Sequence, residues 1–282
     1  MKKGKLEVTR GSGNVFRDLG RTNADVEQFK AILAAERGGP LALSRPGGQF
    51  DGTLQSDGRR RLVYSLSFAS YRTPATRSFS TSIAPAVEWK PVSNFFLQVG
   101  PEVDRNVDDA QYVASVADLA GALPADFGGV HYVFARIDQT TVSANIRLNV
   151  SFTPNLSLQT FIQPLVSSGR YTDYKELAHS RSYDFLHHSA YDPATQRLYP
   201  DAGDPAVFAT LGQPTFNFKS LRGNAVLRWE YRPGSTLFLV WTQQRTDDLL
   251  FDGPEFRRSF DRLLSARPND IFLLKATYHL AL

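Results

Sequence analysis

The 282-residue sequence contains no cysteine and a single methionine. Without cysteine there is no disulfide framework, no thiolate zinc site and no cysteine nucleophile. No stretch approaches the roughly eighteen consecutive apolar residues of a membrane helix. The opening residues, Met1-Lys2-Lys3-Gly4-Lys5, carry charge with no apolar run behind them, so no secretory signal peptide is legible. There is no Gly-x-Ser-x-Gly elbow and no His-Glu-x-x-His pair, and Gly11-Ser12-Gly13 is not followed by the Lys-Ser/Thr of a phosphate loop. The net charge of +4 and pI near 9.3 form a mild excess, not a nucleic-acid signature.

What is present is alternation. Val142, Ala144, Ile146, Leu148, Val150 and Phe152 alternate with Ser143, Asn145, Arg147, Asn149 and Ser151. After Thr153-Pro154-Asn155, Leu156, Leu158, Thr160 and Ile162 alternate with Ser157, Gln159 and Gln163. This is the period of two long strands joined by a tight turn. One face is apolar; the other carries amides and cations. Strands of about ten residues are long enough to cross a bilayer at a tilt. The mean hydropathy of −0.29 does not oppose that reading, because alternating strands average out.

The pattern recurs. Phe95, Leu97, Val99, Pro101 and Val103 oppose Gln98, Glu102 and Asp104. Leu221, Gly223, Ala225, Leu227, Trp229 and Tyr231 oppose Arg222, Asn224, Arg228 and Glu230. Phe272, Leu274 and Ala276 oppose Lys275. Ten strands are expected, at about 48–56, 60–72, 77–90, 94–106, 109–117, 130–153, 155–171, 214–232, 235–247 and 269–282. Short turns at Asp57-Gly58, Lys90-Pro91-Val92-Ser93, Thr153-Pro154-Asn155 and Arg232-Pro233-Gly234-Ser235 tend to alternate with long polar connections at 118–129, 172–213 and 248–268. The fold class is therefore all-β: an antiparallel transmembrane-type β-barrel, or a curled partial barrel, of about ten strands. An even count lets the first and last strands pair antiparallel. Trp89, Trp229, Tyr231 and Trp241 lie near strand ends, as interface aromatics would. The expected interior-facing residues are Asn145, Arg147, Asn149, Gln159, Gln163, Arg222, Asn224, Arg228 and Lys275.

Residues 1–36 differ in character. Asn23 suits a helix N-cap, with Asp25 and Glu27 in the first turn, and Val26, Phe29, Ile32 and Leu33 fall at helical spacing. The run from Val8-Thr9-Arg10-Gly11 to Asp18-Leu19-Gly20, followed by Asn23-Ala24-Asp25, resembles the lead-in of XRE-type helix-turn-helix antitoxins. The likeness ends before the DNA-reading helices, so a short N-terminal helical appendage is expected and no nucleic-acid contact.

Residues 37–282 resemble one bacterial family. The likeness rests on Arg37-Gly38-Gly39-Pro40, Arg45-Pro46-Gly47-Gly48, Asn106-Val107-Asp108-Asp109-Ala110-Gln111-Tyr112, Asp138-Gln139-Thr140-Thr141, Phe152 to Gln159, Lys175-Glu176-Leu177, Phe218 to Ser235 and Phe238-Leu239-Val240-Trp241. The family is an uncharacterised group, a domain of unknown function, in which a family-9-like carbohydrate-binding module precedes an outer-membrane barrel. The resemblance implies an outer-membrane location, lipid as a partner, and only the rear part of the family's barrel in this chain. It supplies no catalytic residue. The missing signal peptide argues against export of this chain as it stands.

Candidate chemistry is sparse. His187-His188 with His179, and Asp173, Glu176, Asp201 and Asp204, lack metal-ligand spacing. Arg59-Arg60-Arg61 reads as a solvated turn beside a strand. Glu102 and Asp104 are the one carboxylate pair on an interior face. No catalytic residue, metal or cofactor is assigned. The expectation is a non-enzymatic outer-membrane barrel that binds or passes a small solute or glycan. The alternatives are an XRE-like DNA-binding regulator, which needs a complete helix-turn-helix, and a glycan-active β-rich enzyme, which needs two carboxylates at catalytic separation.

Overall fold

A computed structural model of the chain describes residues 45–117, 130–179, 182–187, 190–199, 209–248 and 256–280. The N-terminal appendage expected over 1–36 lies outside the described residues. The strands are β1 (Gly48–Gln55), β2 (Leu62–Thr73), β3 (Ser78–Trp89), β4 (Phe95–Ala117), β5 (Val130–Thr153), β6 (Leu156–Leu177), β7 (Phe185–His187), β8 (Ala190–Asp192), β9 (Arg197–Tyr199), β10 (Ala209–Thr210), β11 (Phe216–Arg232), β12 (Ser235–Asp247) and β13 (Asn269–Ala276). Among the described residues a helix, α1 (Phe256–Ser265), lies between β12 and β13.

Ten of the strands form one antiparallel sheet in the order β1-β2-β3-β4-β5-β6-β11-β12-β13, with β7 paired to β6 off that path. Among the described residues no closed barrel is found: β1 and β13 end the sheet, and every residue of both is exposed. The expectation of separate strands at 94–106 and 109–117 is corrected, because β4 runs through both. Asn106-Val107-Asp108-Asp109 looks like a turn by composition. Instead, the Asp108 carboxylate accepts from the Ala110 N–H at 3.2 Å, and the Ser78 hydroxyl accepts from the Asp109 N–H at 2.9 Å. Side chains thus satisfy the backbone locally while the strand continues. With nine strands on the path, β1 and β13 run parallel, so the antiparallel closure expected from an even count does not hold.

Two compact units can be distinguished, and β4, β5 and β6 contribute residues to both. The larger comprises Arg45–Gln111, Ala135–Asp173 and Gly212–Leu282. Its hairpins use short turns. At Pro233-Gly234, proline presets φ for the first central position and Gly234 takes φ of 77° at the second. A Cβ on Gly234 would meet the His279 Cβ at 3.0 Å.

The smaller unit takes in, among the described residues, 112–117, 130–134, 174–179, 182–187, 190–199 and 209–211. In it β7 extends the end of β6 through Lys175↔His187 and Leu177↔Phe185, and β8, β9 and β10 form a second small sheet. Val133, Leu177 and Leu198 are buried there. Phe134 and Tyr183 meet Phe185 edge-on at centroid separations of 5.3 and 5.0 Å. This unit packs apolar side chains inward, as proteins in water do.

Candidate functional site

The larger unit reverses that arrangement, and the register fixes which residues share a face. Leu62, Tyr64, Leu66 and Phe68 lie opposite Trp89, Val87, Pro85 and Ile83, and these in turn lie beside Leu97, Val99 and Val103 on β4. Most of this apolar row is exposed, Tyr64 to 54% and Val103 to 46%. The polar or small partners on the other face, Ser65, Ser67, Ala84, Ala86, Glu88 and Glu102, are half-buried. Fully burying a valine or leucine is worth about 1.5–3 kcal/mol, so a fold made for water would cover the first row and not the second.

The polar face of β5, β6 and β11 carries the expected interior residues. Gln163 lies opposite Arg222, Phe161 opposite Asn224, Gln159 opposite Val226 and Ser157 opposite Arg228. Gln163 Nε2 donates to Asn145 Oδ1 at 3.3 Å. The Arg147 guanidinium lies 5.3 Å from the Phe161 ring centroid, and Arg228 pairs with Glu230 at 3.0 Å. Arg147, Asn149, Gln159, Phe161 and Asn224 line one concavity of about 410 Å³. Lys275 shares the face through its pairing with Phe238, but it sits on the edge strand β13, away from this group. Its neighbours on that face, Ile271 and Leu273, are apolar and exposed. Glu102 accepts from Ser82 at 3.0 Å on the polar face of β4. The concavity offers amides and guanidinium groups to hydroxyls or anions, and no nucleophile paired with a base.

The aromatics sort by position. Trp89 meets Phe95 edge-on at 5.4 Å beside the turn at 90–94, and Trp229 meets Tyr231 at 6.0 Å beside Pro233-Gly234. Trp241 is mid-strand, not near a strand end. It stacks on Phe272 at 6.5 Å and donates its indole N–H to Asp270 at 2.9 Å. All three tryptophans of the chain lie on the apolar face.

Two charged groupings escape a reading of the sequence. Lys219 on β11 is fully buried on the apolar face, with Nζ 3.2 Å from Asp247 Oδ2. Arg262 of α1 reaches the same carboxylate at 2.8 Å, and the Arg245 guanidinium donates to the Leu264 carbonyl. These bonds hold α1 over the ends of β11 and β12, burying Ser259 and Leu263. The helix falls in the stretch expected to be loop. Phe256, Phe260, Leu263 and Leu264 at helical spacing were its available signal. In the smaller unit His131 Nδ1 lies 2.6 Å from Glu176 Oε2, and Lys175 is buried with Nζ 5.3 Å from the Phe185 centroid. Nothing in the sequence pairs residues 45 apart.

Among the described residues no cluster of three or more His, Asp or Glu side chains is placed to hold a metal ion. His188, Asp201 and Asp204 lie outside them.

A family model matches residues 21–282, nearly the whole chain. The chain belongs to that family, described as Domain of unknown function (DUF5916). The DUF5916 match takes in every strand of the sheet and begins inside the segment read as an antitoxin-like leader. No curated protein and no solved structure matches the chain. No helix among the described residues is long and apolar enough to cross a membrane, which leaves crossing by strands open.

Proposed function

We propose that this DUF5916 chain forms the wall of an outer-membrane β-barrel, with its apolar face against lipid and its polar face against a watery interior. The interior binds or passes a small solute or glycan without catalysing a reaction. One observation carries the reading: the exposed face of β2, β3 and β4 is the apolar one, and the more covered face is polar. The dimensions agree. Val142 and Phe152 are ten residue steps apart, about 33 Å along a strand, or about 25 Å of membrane thickness at a typical barrel tilt. The links at one end of the sheet are all short, and those at the other are long except for 74–77 between β2 and β3, which approaches the asymmetry of outer-membrane barrels.

Passage or binding is assigned to the concavity formed by Arg147, Asn149, Gln159, Phe161 and Asn224. Amides and guanidinium groups over an aromatic ring suit sugar hydroxyls or a small anion. The resemblance to barrels that follow a carbohydrate-binding module favours the glycan.

The test is migration on an unboiled gel after refolding the full chain in detergent, followed by solute flux in vesicles. Heat-modifiable migration, with flux of small sugars that falls on substituting Arg147→Glu and Arg222→Glu, supports the reading. Unchanged migration on boiling, with no flux, contradicts it.

A further inference from the structure

The charges of the polar face are sorted by strand. In the larger unit β1 to β4 carry Asp51, Glu88, Glu102, Asp104 and Asp108 on that face, all acidic. β5, β11 and β13 carry Arg147, Arg222, Arg228 and Lys275, with Glu230 as the one acid. β6 and β12 add no charge to that face where they pair with β11. Glu88 is taken up by Lys90 of the following turn at 2.8 Å, and Glu230 by Arg228 at 3.0 Å. Among the described residues Glu102 and Asp104 have no basic partner, and Arg147, Arg222 and Lys275 have no acidic one. The two sets meet where β4 lies beside β5, yet among the described residues no ion pair joins those strands on this face. On the apolar face the same two strands are joined by Arg105 and Asp138 at 2.7 Å.

The difference between the faces has a physical cause. A charge against lipid is costly unless it is paired, whereas a charge in water can stand alone. Separated charges of opposite sign over a low-dielectric wall set up a field in the water above them. A solute of one sign satisfies only one set, and a solute carrying both signs satisfies both. The amides of Asn149, Gln159 and Asn224 beside Arg147 suit ring hydroxyls. We propose that the polar face binds an amino sugar acid, a sugar bearing an ammonium and a carboxylate, with its carboxylate at Arg147 and Arg222 and its ammonium at Glu102 and Asp104. The inference rests on the interior reading above and narrows its solute.

The full chain is refolded in detergent, and binding near neutral pH is measured by titration calorimetry. The probes are muramic acid (both charges), glucuronic acid (carboxylate only), glucosamine (ammonium only) and glucose (neither). Muramic acid should bind about fivefold more tightly than either single-charge sugar, the worth of one exposed charge contact. Glu102→Gln with Asp104→Asn should bring muramic acid down to the level of glucuronic acid, and Arg147→Gln with Arg222→Gln to that of glucosamine. Arg105→Gln with Asp138→Asn, on the apolar face, should leave the preference unchanged. Muramic acid bound no more tightly than glucuronic acid, glucosamine or glucose overturns this inference alone. A preference for muramic acid that survives either polar-face double variant also overturns it, by showing that those charges do not read the solute. A chain that neither binds any of these sugars nor lets them cross a vesicle membrane overturns the interior reading and this inference together.

Discussion

The two units of the chain solve the burial problem in opposite ways. Around Val133, Leu177 and Leu198 apolar side chains are enclosed, with the charged Lys175 and Glu176 buried among them, and Leu186 is the one large apolar side chain exposed among the described residues of that unit. In the larger unit Leu62, Leu66, Ile83, Val87, Val99 and Val103 stand in the open, while serines, alanines and carboxylates occupy the covered face. The same strands β4, β5 and β6 serve both arrangements along their length. A sheet specifies only which residues share a face, and the surrounding solvent decides which face is covered. The corner under α1 is instructive because there the apolar face is roofed by protein. At that spot alone on β11 and β12 it carries a fully buried lysine, with Asp247 and Arg262 to neutralise it.

That corner gives the largest expected effect. Asp247→Ala removes the carboxylate that Lys219 and Arg262 share beside a fully buried ammonium. The cost should be about 3–5 kcal/mol in denaturant unfolding, whereas Lys219→Met, which removes the charge itself, should be close to neutral. If Asp247→Ala and Lys219→Met behave alike, the pair is not a buried ion pair.

The next effect sets the two units directly against each other. Val99→Arg places a charge in the middle of the apolar band and should cost about 2–4 kcal/mol in lipid. In water, an exposed position of this kind would tolerate the change within about 0.5 kcal/mol. Leu198→Ala, in the enclosed unit, should cost about 2–5 kcal/mol whether lipid is present or not. A Val99→Arg protein as stable in lipid as the parent would remove the distinction between the units.

On the polar face the effects are smaller. Arg147→Ala loses the stacking on Phe161 and should cost about 0.5–1 kcal/mol. Its larger consequence should be a loss of anion preference in solute flux, since Arg147 lines the concavity with Asn149 and Asn224. Flux with unaltered ion preference would separate that concavity from the solute path.

The smallest effect is a pH response in the small sheet. The hydroxyl of Thr195 and the N–H of Ala194 hold the Asp192 carboxyl below its usual range. A lowered folded-state value means that the turn between β8 and β9 is fully stabilised above the ordinary carboxylate range. That stabilisation is lost as pH falls through the depressed value. Amide exchange at Ala194 should therefore quicken only on strong acidification, and Asp192→Asn should flatten the dependence.

Much of this sheet is legible in the sequence because period-two alternation is a backbone property. Residues 142 to 163 spell out two strands and their turn without reference to anything distant. The register could not be read, nor could closure, because pairing partners such as Gln163 and Arg222 are set by chain far away. Asn106 to Asp109 misled because aspartate and asparagine favour turns in isolation, whereas here Ser78 and Arg136 from the neighbouring strands meet Asp109 and the strand continues. The odd number of strands on the path followed from that one error. The polar-face residues were visible as a set, yet their division into a concavity and a lone Lys275 on the edge depended on strand order. The Lys219–Asp247–Arg262 grouping left no local trace, since a lysine in a strand reads as a solvated position until a helix is placed over it.

The central claim is that the apolar face meets lipid, and the three tryptophans test it most directly because all of them lie on that face. Variants retaining one tryptophan each would be reconstituted in phosphatidylcholine brominated at different depths. The account predicts that brominated lipid quenches all three, with Trp89 and Trp229 responding most to shallow bromines, and that aqueous iodide quenches none. Quenching of Trp89 and Trp229 by iodide, with no response to bromine at any depth, would contradict it.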